Sequence, residues 1–356
     1  MNLRRALYLV AMLLALSACT PRAAVKESHA LVPVFFATDR LEVSADEGWF
    51  GVRRHESSDG HGVMTYGRAE VSIPASHRAG EFEEPSLWSL EFTEDPGKHV
   101  TIAHVEPLEK FGFFTQVKAQ VDHRGVKRAL VFIHGYNVSF DHALRRAAQI
   151  SYDLRYPGPP LLFSWPSRGT LSGYVRDLND ARWATADLEN FLLDVATKSG
   201  ATQVDIIAHS MGNQPLIEAL QDLSARHAPV HFRQIIMAAP DMDTDMFRRA
   251  AAGFIGEATR VTLYASSNDE ALKASKSVNG YPRAGDASDG ILVAPGVDTI
   301  DASAADTSLL GHSYYGDAKS VLSDIDNILR TDDPPGNRPH LSPALTNGAR
   351  YWRYVP

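Results

Sequence analysis

One stretch limits what this 356-residue chain can fold into more than any other: Val204-Asp205-Ile206-Ile207-Ala208-His209-Ser210-Met211-Gly212-Asn213. The apolar run 206–208 reads as a buried strand. It ends abruptly in small residues around one serine. Beyond them Leu216, Ile217, Leu220 and Leu223 fall on one face of a helix. Strand, sharp turn with a central serine, then helix is the layout of a nucleophile elbow. So tight a turn needs small residues two places before and two places after the serine, and Ala208 and Gly212 meet that need. The same pentapeptide also suits a plain small-residue turn in which Ser210 caps the helix. The flanking chain has to decide.

The flanks repeat one pattern. Residues 129–133 are an uninterrupted apolar run, typical of a parallel strand covered on both faces. His134-Gly135-Tyr136-Asn137 follows, then a helical stripe of Phe140, Ala143, Leu144, Ala147, Ala148 and Leu154. A strand at 161–165 is stopped by Pro166, and a helix is expected over 178–198. After the elbow come strands at 232–238, 261–265 and 297–300, then a closing helix at 315–329. Strands alternating with helices of this length make βαβ units, hence an α/β fold with a mostly parallel central sheet and helices on both faces. Upstream, strands are expected at 31–38, 64–74 and 99–104, with loop between the first two. The tail 331–356 is Pro-rich at first and ends in Tyr351-Trp352-Arg353-Tyr354; it is expected to pack along the surface or meet a partner.

Composition and the N-terminus restrict location and partners. The net charge is −8 and no Lys/Arg block occurs, which argues against a nucleic-acid partner. Arg4 and Arg5 precede an apolar run over 6–16, too short to span a bilayer and suited to a signal-peptide core. Leu16-Ser17-Ala18-Cys19 resembles a bacterial lipobox. That resemblance implies cleavage before Cys19, lipid on its thiol and a place in the cell envelope. The following Thr20 favours the outer membrane, facing the periplasm. Cys19 is the only cysteine, so the mature chain has no disulfide and no cysteine nucleophile. The expected organisation is a signal peptide (1–18), a lipidated tether (19–30), an N-terminal extension (31–127), a catalytic core (128–330) and the tail (331–356).

The chemistry starts from Ser210. A serine hydroxyl needs a general base within hydrogen-bond reach, and histidine is the usual one because its pKa lies near operating pH. On this layout the partners follow in the order Ser, acid, His. Of the histidines after Ser210, His227 and His231 flank the next strand and His340 lies in the tail. His312, after the last expected strand and before the last helix, is the expected base. Asp269, after the strand at 261–265, is the expected acid, although it also suits a helix N-cap. Asp243, in Asp241-Met242-Asp243-Thr244-Asp245, is the alternative acid. That run is no calcium loop, because Met246 stands where the loop needs Gly and Ala252 where it needs Glu. A tetrahedral intermediate needs two backbone N–H donors. The candidates are Met211, after the nucleophile, and Tyr136, in the loop that Gly135 lets turn inward. Tyr136 and Trp165 are the expected aromatic walls of a substrate pocket. His134 and His209 read as structural. No metal-binding motif and no Gly-rich phosphate loop is present, so no cofactor is expected.

Phe35-Phe36-Ala37-Thr38-Asp39-Arg40, Phe132-Ile133-His134-Gly135-Tyr136-Asn137, Phe163-Ser164-Trp165-Pro166-Ser167, Ala208-His209-Ser210-Met211-Gly212-Asn213, Ala239-Pro240-Asp241 and Gly311-His312-Ser313 together resemble one bacterial α/β-hydrolase family. It is grouped with the esterase/lipase superfamily and labelled domain of unknown function 900. The resemblance covers about residues 32–329. It implies the α/β-hydrolase fold and matches Ser210, Asp269 and His312 to nucleophile, acid and base. Pro215, early in the nucleophile helix, departs from the pattern without touching the triad. The expected activity is cleavage of a small-molecule carboxylic ester. Thioester or amide cleavage by the same triad, or a non-catalytic envelope binding protein on the same scaffold, are the alternatives. Residues 240–260 have room for little more than one covering helix, and the segment 272–294 reads as a mobile loop. Such cover suits short, soluble esters unless the extension 41–121 folds over the site.

Overall fold

The computed structural model describes residues 29–85, 93–305 and 319–356. Cys19 and His312 lie outside them. Strands β1 (His29–Thr38), β2 (Arg40–Glu42), β3 (Phe50–Arg54), β4 (Thr65–Pro74) and β5 (Thr101–Leu108) precede helix α1 (Lys110–His123). Then come β6 (Arg128–Ile133), α2 (Phe140–Asp153), β7 (Pro160–Ser164), α3 (Tyr174–Trp183), α4 (Thr185–Lys198), β8 (Gln203–His209) and α5 (Asn213–Ala225). The chain continues through β9 (Phe232–Ala238), α6 (Thr244–Ala251), β10 (Ala258–Ala265), α7 (Glu270–Asn279) and β11 (Val297–Asp301). It ends with α8 (Lys319–Thr331), β12 (Leu341–Thr346) and β13 (Ala349–Tyr354).

Eleven strands form one sheet in the order β12-β13-β11-β10-β9-β8-β6-β7-β1-β4-β5. The strands from β13 to β1 in that order run parallel, with antiparallel partners at both ends. Successive side chains serve opposite faces. Phe35, Val131, Ile133, Ile206 and Ala208 enter one core with α1, α4 and α5. Phe36, Leu130, Phe132 and Ile207 enter the other with α2 and α8. This two-sided burial is why the central strands read as unbroken apolar runs.

The chain moves from β6 to β7 on one side and returns to β8 on the other. The crevice beyond the carboxyl ends of such a pair is where open α/β sheets bind ligands. Here the β6 end carries His134-Gly135-Tyr136 and the β8 end carries Ser210.

Four expectations need correction. The helix expected over 178–198 is two helices, α3 and α4, meeting at Ala184. The extension contributes β4 and β5 to the main sheet and adds α1 and the β2–β3 hairpin where no element was expected. The tail, expected to pack along the surface or meet a partner, joins the main sheet instead: β13 pairs in parallel with β11, and Tyr351 and Tyr354 are buried. Residues 272–294 do not form a mobile loop. They start as α7 and then run as a pinned strap, with Ala284 N–H on Met242 O, Gly285 N–H on Pro240 O and Ser266 N–H on Gly285 O.

Candidate active site

Ser210 sits in the left-handed region, with φ 50°, where a residue bearing a Cβ rarely settles. Neighbours hold it there. Asn213 Nδ2 donates to Ser210 O at 3.0 Å and to Ala208 O at 3.2 Å, and Asp241 N–H donates to Ser210 O at 3.2 Å. The Ser210 hydroxyl is buried and has no hydrogen-bond partner among the described residues. It caps no helix: its Oγ accepts from no backbone N–H of the turn 210–212 or of α5.

Two glycines let the β6 loop press against this turn. A Cβ on Gly135 would lie 2.9 Å from both Ser210 Cβ and His209 Nδ1. A Cβ on Gly212 would lie 2.3 Å from His134 O. The small residues of the elbow therefore answer a second need besides turn geometry, which is close approach of the loop that carries Tyr136. Met211 follows the serine and is fully buried.

Beneath the loop lies a buried polar network. His134 Nδ1 is 2.7 Å from Gly135 O, and its Nε2 is 3.1 Å from Ser164 Oγ and 3.4 Å from Arg40 Nη2. Burial first, and the nearby Arg40 charge second, hold His134 well below the usual histidine range, so the ring is neutral. Asp177 accepts from Ser167 Oγ at 2.6 Å, Arg168 N–H at 2.9 Å and Asn137 N–H at 3.1 Å, which ties α3 to the loop.

Trp165 is not a pocket wall. It is fully buried, stacked on His134 at 4.9 Å, with Nε1 donating to His134 O at 3.0 Å. Its indole needs both an apolar bed and an acceptor, and the core below the loop supplies both. Tyr136 is half-buried and meets the Tyr174 ring edge-on at 5.4 Å. Burial first, then Asp241, Asp177 and Asp269, push the Tyr136 phenol up.

The two acid candidates and the neighbouring Asp241 differ in their commitments. Asp241 is saturated: Oδ1 accepts from Ser275 Oγ at 2.5 Å and Arg283 Nε at 2.7 Å, and Oδ2 accepts from Tyr174 Oη at 2.9 Å. It thereby pins α3, α7 and the strap together beside Ser210. Asp243 caps α6 through Oδ1, which takes the Asp245 and Met246 N–H groups. Asp269 is buried and caps α7, again through Oδ1, which takes the Ala271 and Leu272 N–H groups at 3.1 and 3.0 Å. It follows β10, two strands from β8.

A cleft of about 660 Å³, lined in part by Tyr66, Lys110, Asp187 and Asp194, opens near β4 and β5. Neither Ser210 nor Tyr136 lines it. Sequence reading gave no role to Arg40, Ser164, Tyr174 or Arg283. Arg40 gave no local signal: it stands three residues past the apolar run 34–37, where a cation is ordinarily solvated.

No curated protein matches the chain in sequence. Solved structures do resemble it. A predicted CIB-like hydrolase from Thermoplasma acidophilum is 16% identical, with TM-score 0.33, over 57% of this chain and 86% of that one. A fungal esterase from Rhizomucor miehei is 10% identical, with TM-score 0.40, over 91% and 89%. An esterase from Pyrococcus furiosus is 13% identical, with TM-score 0.31, over 58% and 82%. The sequence model of one family, the α/β-hydrolases of unknown function designated DUF900, matches residues 109–330. That match takes in the elbow, the β6 loop and every acid candidate, and the chain belongs to this family of α/β-hydrolases.

Proposed function

We propose that the chain is a serine hydrolase of carboxylic esters. Ser210 is the nucleophile, His312 the general base, Asp269 the acid that orients it, and the Tyr136 and Met211 N–H groups the oxyanion hole. The observation that carries this reading is the state of Ser210. Its hydroxyl is buried, caps nothing, stands on a strained backbone and is approached by a glycine of the neighbouring strand's loop. A purely structural turn gains nothing from that combination. Asp269 is preferred over Asp243 because it is buried, where Asp243 is part-exposed, and because it follows β10, two strands from β8.

In the reaction His312 takes the Ser210 proton as Oγ attacks the ester carbonyl carbon. The resulting oxyanion rests on the two N–H groups. Collapse breaks the C–O bond, and His312 returns the proton to the leaving alcohol. Water then repeats the sequence on the acyl-enzyme and releases the acid.

The cover over the site favours a small substrate. Between β9 and β10 the chain builds only α6 and one short turn, and the strap is fixed by Arg283 and the backbone bonds of Ala284 and Gly285. The test is a series of p-nitrophenyl esters of rising chain length. The highest kcat/KM is expected at acyl groups of about two to six carbons, because among the described residues only α6 and the pinned strap are candidates for cover. Higher kcat/KM on emulsified long-chain triglyceride would contradict it. For location we propose a lipid anchor at Cys19, so Cys19→Ala should move the chain from membrane to soluble fraction without loss of activity. Recovery of that variant in the membrane pellet would rule the anchor out.

A further inference from the structure

Arg40 is fully buried at the start of β2, just past the end of β1, which lies two strands from β6, and all five of its N–H donors are engaged. Nε donates to Ser164 Oγ at 3.0 Å. Nη1 donates to Ser167 O at 2.9 Å and Gly51 O at 3.2 Å, and Nη2 to Val138 O at 2.8 Å and His134 Nε2 at 3.4 Å. Burial lowers its pKa only to about 10, so the guanidinium stays charged at neutral pH.

The direction of every proton in this network follows. Gly135 O can only accept, so His134 Nδ1 carries the ring proton. The neutral ring then has a bare Nε2, which needs donors. Arg40 Nη2 is one. Ser164 is the other: its oxygen accepts from Arg40 Nε, which turns its single proton toward His134. Gly135 O and the Tyr136 N–H belong to one planar trans peptide and point opposite ways. Holding the oxygen therefore fixes where the N–H points. The flipped peptide would aim a carbonyl at a developing oxyanion and oppose it.

We infer that Arg40 is a positioning residue for acyl transfer: through Ser164 and His134 it locks the Gly135–Tyr136 peptide so that the Tyr136 N–H faces the oxyanion. This rests on the serine-hydrolase reading of Ser210. Lysine cannot replace the planar fork, because its three donors leave one point and cannot hold Ser164, His134 and three carbonyls at once.

The test uses the full chain with Ser164→Ala, Arg40→Lys, His134→Leu and His134→Asn. Asparagine places an amide donor near the position of Nδ1. Ring ¹⁵N NMR on histidine-labelled protein should show wild-type His134 protonated at Nδ1 only, and mixed tautomers in Ser164→Ala and Arg40→Lys. In those two variants and in His134→Leu, kcat should fall about 10- to 100-fold, less than the 100- to 1,000-fold for losing an oxyanion donor outright. KM should stay within about twofold, since the donor acts on the transition state. A short alkyl boronate, which becomes tetrahedral on the serine, should lose affinity by the same factor as kcat, and His134→Asn should recover most of both. A wild-type ring protonated at Nε2 overturns the proposal. So do folded variants with unchanged kcat and boronate affinity. A wild-type chain that neither hydrolyses esters nor binds boronate overturns the serine-hydrolase reading, and the oxyanion role with it, while the ring tautomer still shows whether Arg40 sets the peptide.

Discussion

A left-handed serine is held against its preference at a cost of about 1–3 kcal/mol, and Asn213 and Asp241 supply the bonds that keep it there. Neighbouring residues carry predictions of the same kind. Gly135→Ala would push a Cβ to 2.9 Å from Ser210 Cβ and 3.2 Å from His209 O, with backbone on one side and the proposed nucleophile on the other. The loop has to retreat, and kcat should fall at least about 100-fold, as for loss of an oxyanion donor, with the far-UV spectrum unchanged. Asp269→Asn and Asp243→Asn form a matched pair, because asparagine caps a helix as well as aspartate does. Neither change should unfold its helix. Asp269→Asn should lower kcat by about 10⁴, the scale seen when such an acid becomes an amide, and Asp243→Asn should stay close to wild type. The reverse ranking would move the acid to the loop after Pro240.

The elements that position the site were largely legible, because each central strand is an apolar run that ends at a chemically distinctive residue: Ile133 before His134, Ala208 before His209-Ser210, Ala265 before Ser266. What escaped depends on contacts distant in sequence. The break at Ala184 has no Gly or Pro to mark it. The strap reads as loop because it is held by Arg283 on Asp241 and by backbone bonds to Pro240 and Met242, which no local pattern announces. Trp165 reads as a pocket wall only until His134 is seen stacked on it. One clasp between elements also makes a prediction about pH. His77, in the turn after β4, lies 2.8 Å from Glu83 Oε2 and 2.7 Å from Asp153 Oδ1 at the end of α2. Burial alone would lower its pKa, but the hydrogen bonds to Asp153 and Glu83 outweigh that and raise it from 6.5 to about 9. A raised folded pKa means the stabilisation is complete below about pH 6.5 and is lost as pH rises through about 9. The wild-type Tm should therefore fall across that window, and His77→Gln should flatten the fall. Equal slopes in the two proteins would show that the clasp does not titrate as described.

At the scale of the whole molecule, the sheet extends well past the strands that carry the site, and its far edge is closed by the tail. Arg338, on the approach to β12, is buried with Nη1 3.3 Å from Asp324 Oδ2 on α8, and that oxygen also accepts from Tyr264 Oη of β10 at 2.6 Å. Tail, helix and sheet thus meet at one buried ion pair. Arg338→Met would leave the Asp324 carboxyl without its cation and should cost about 3 kcal/mol, the low end for breaking a buried pair, measured by urea unfolding. A loss under about 0.5 kcal/mol, the range of ordinary surface substitutions, would mean that the tail only rests on the fold. On the proposed function this frame holds one reactive hydroxyl, that of Ser210, and the most direct measurement concerns it. The full chain is treated with a fluorophosphonate, digested and mapped by mass spectrometry. A single adduct on Ser210 is expected, absent from Ser210→Ala and greatly slowed in His312→Ala. No adduct, or an adduct on another serine that persists in Ser210→Ala, would contradict the account.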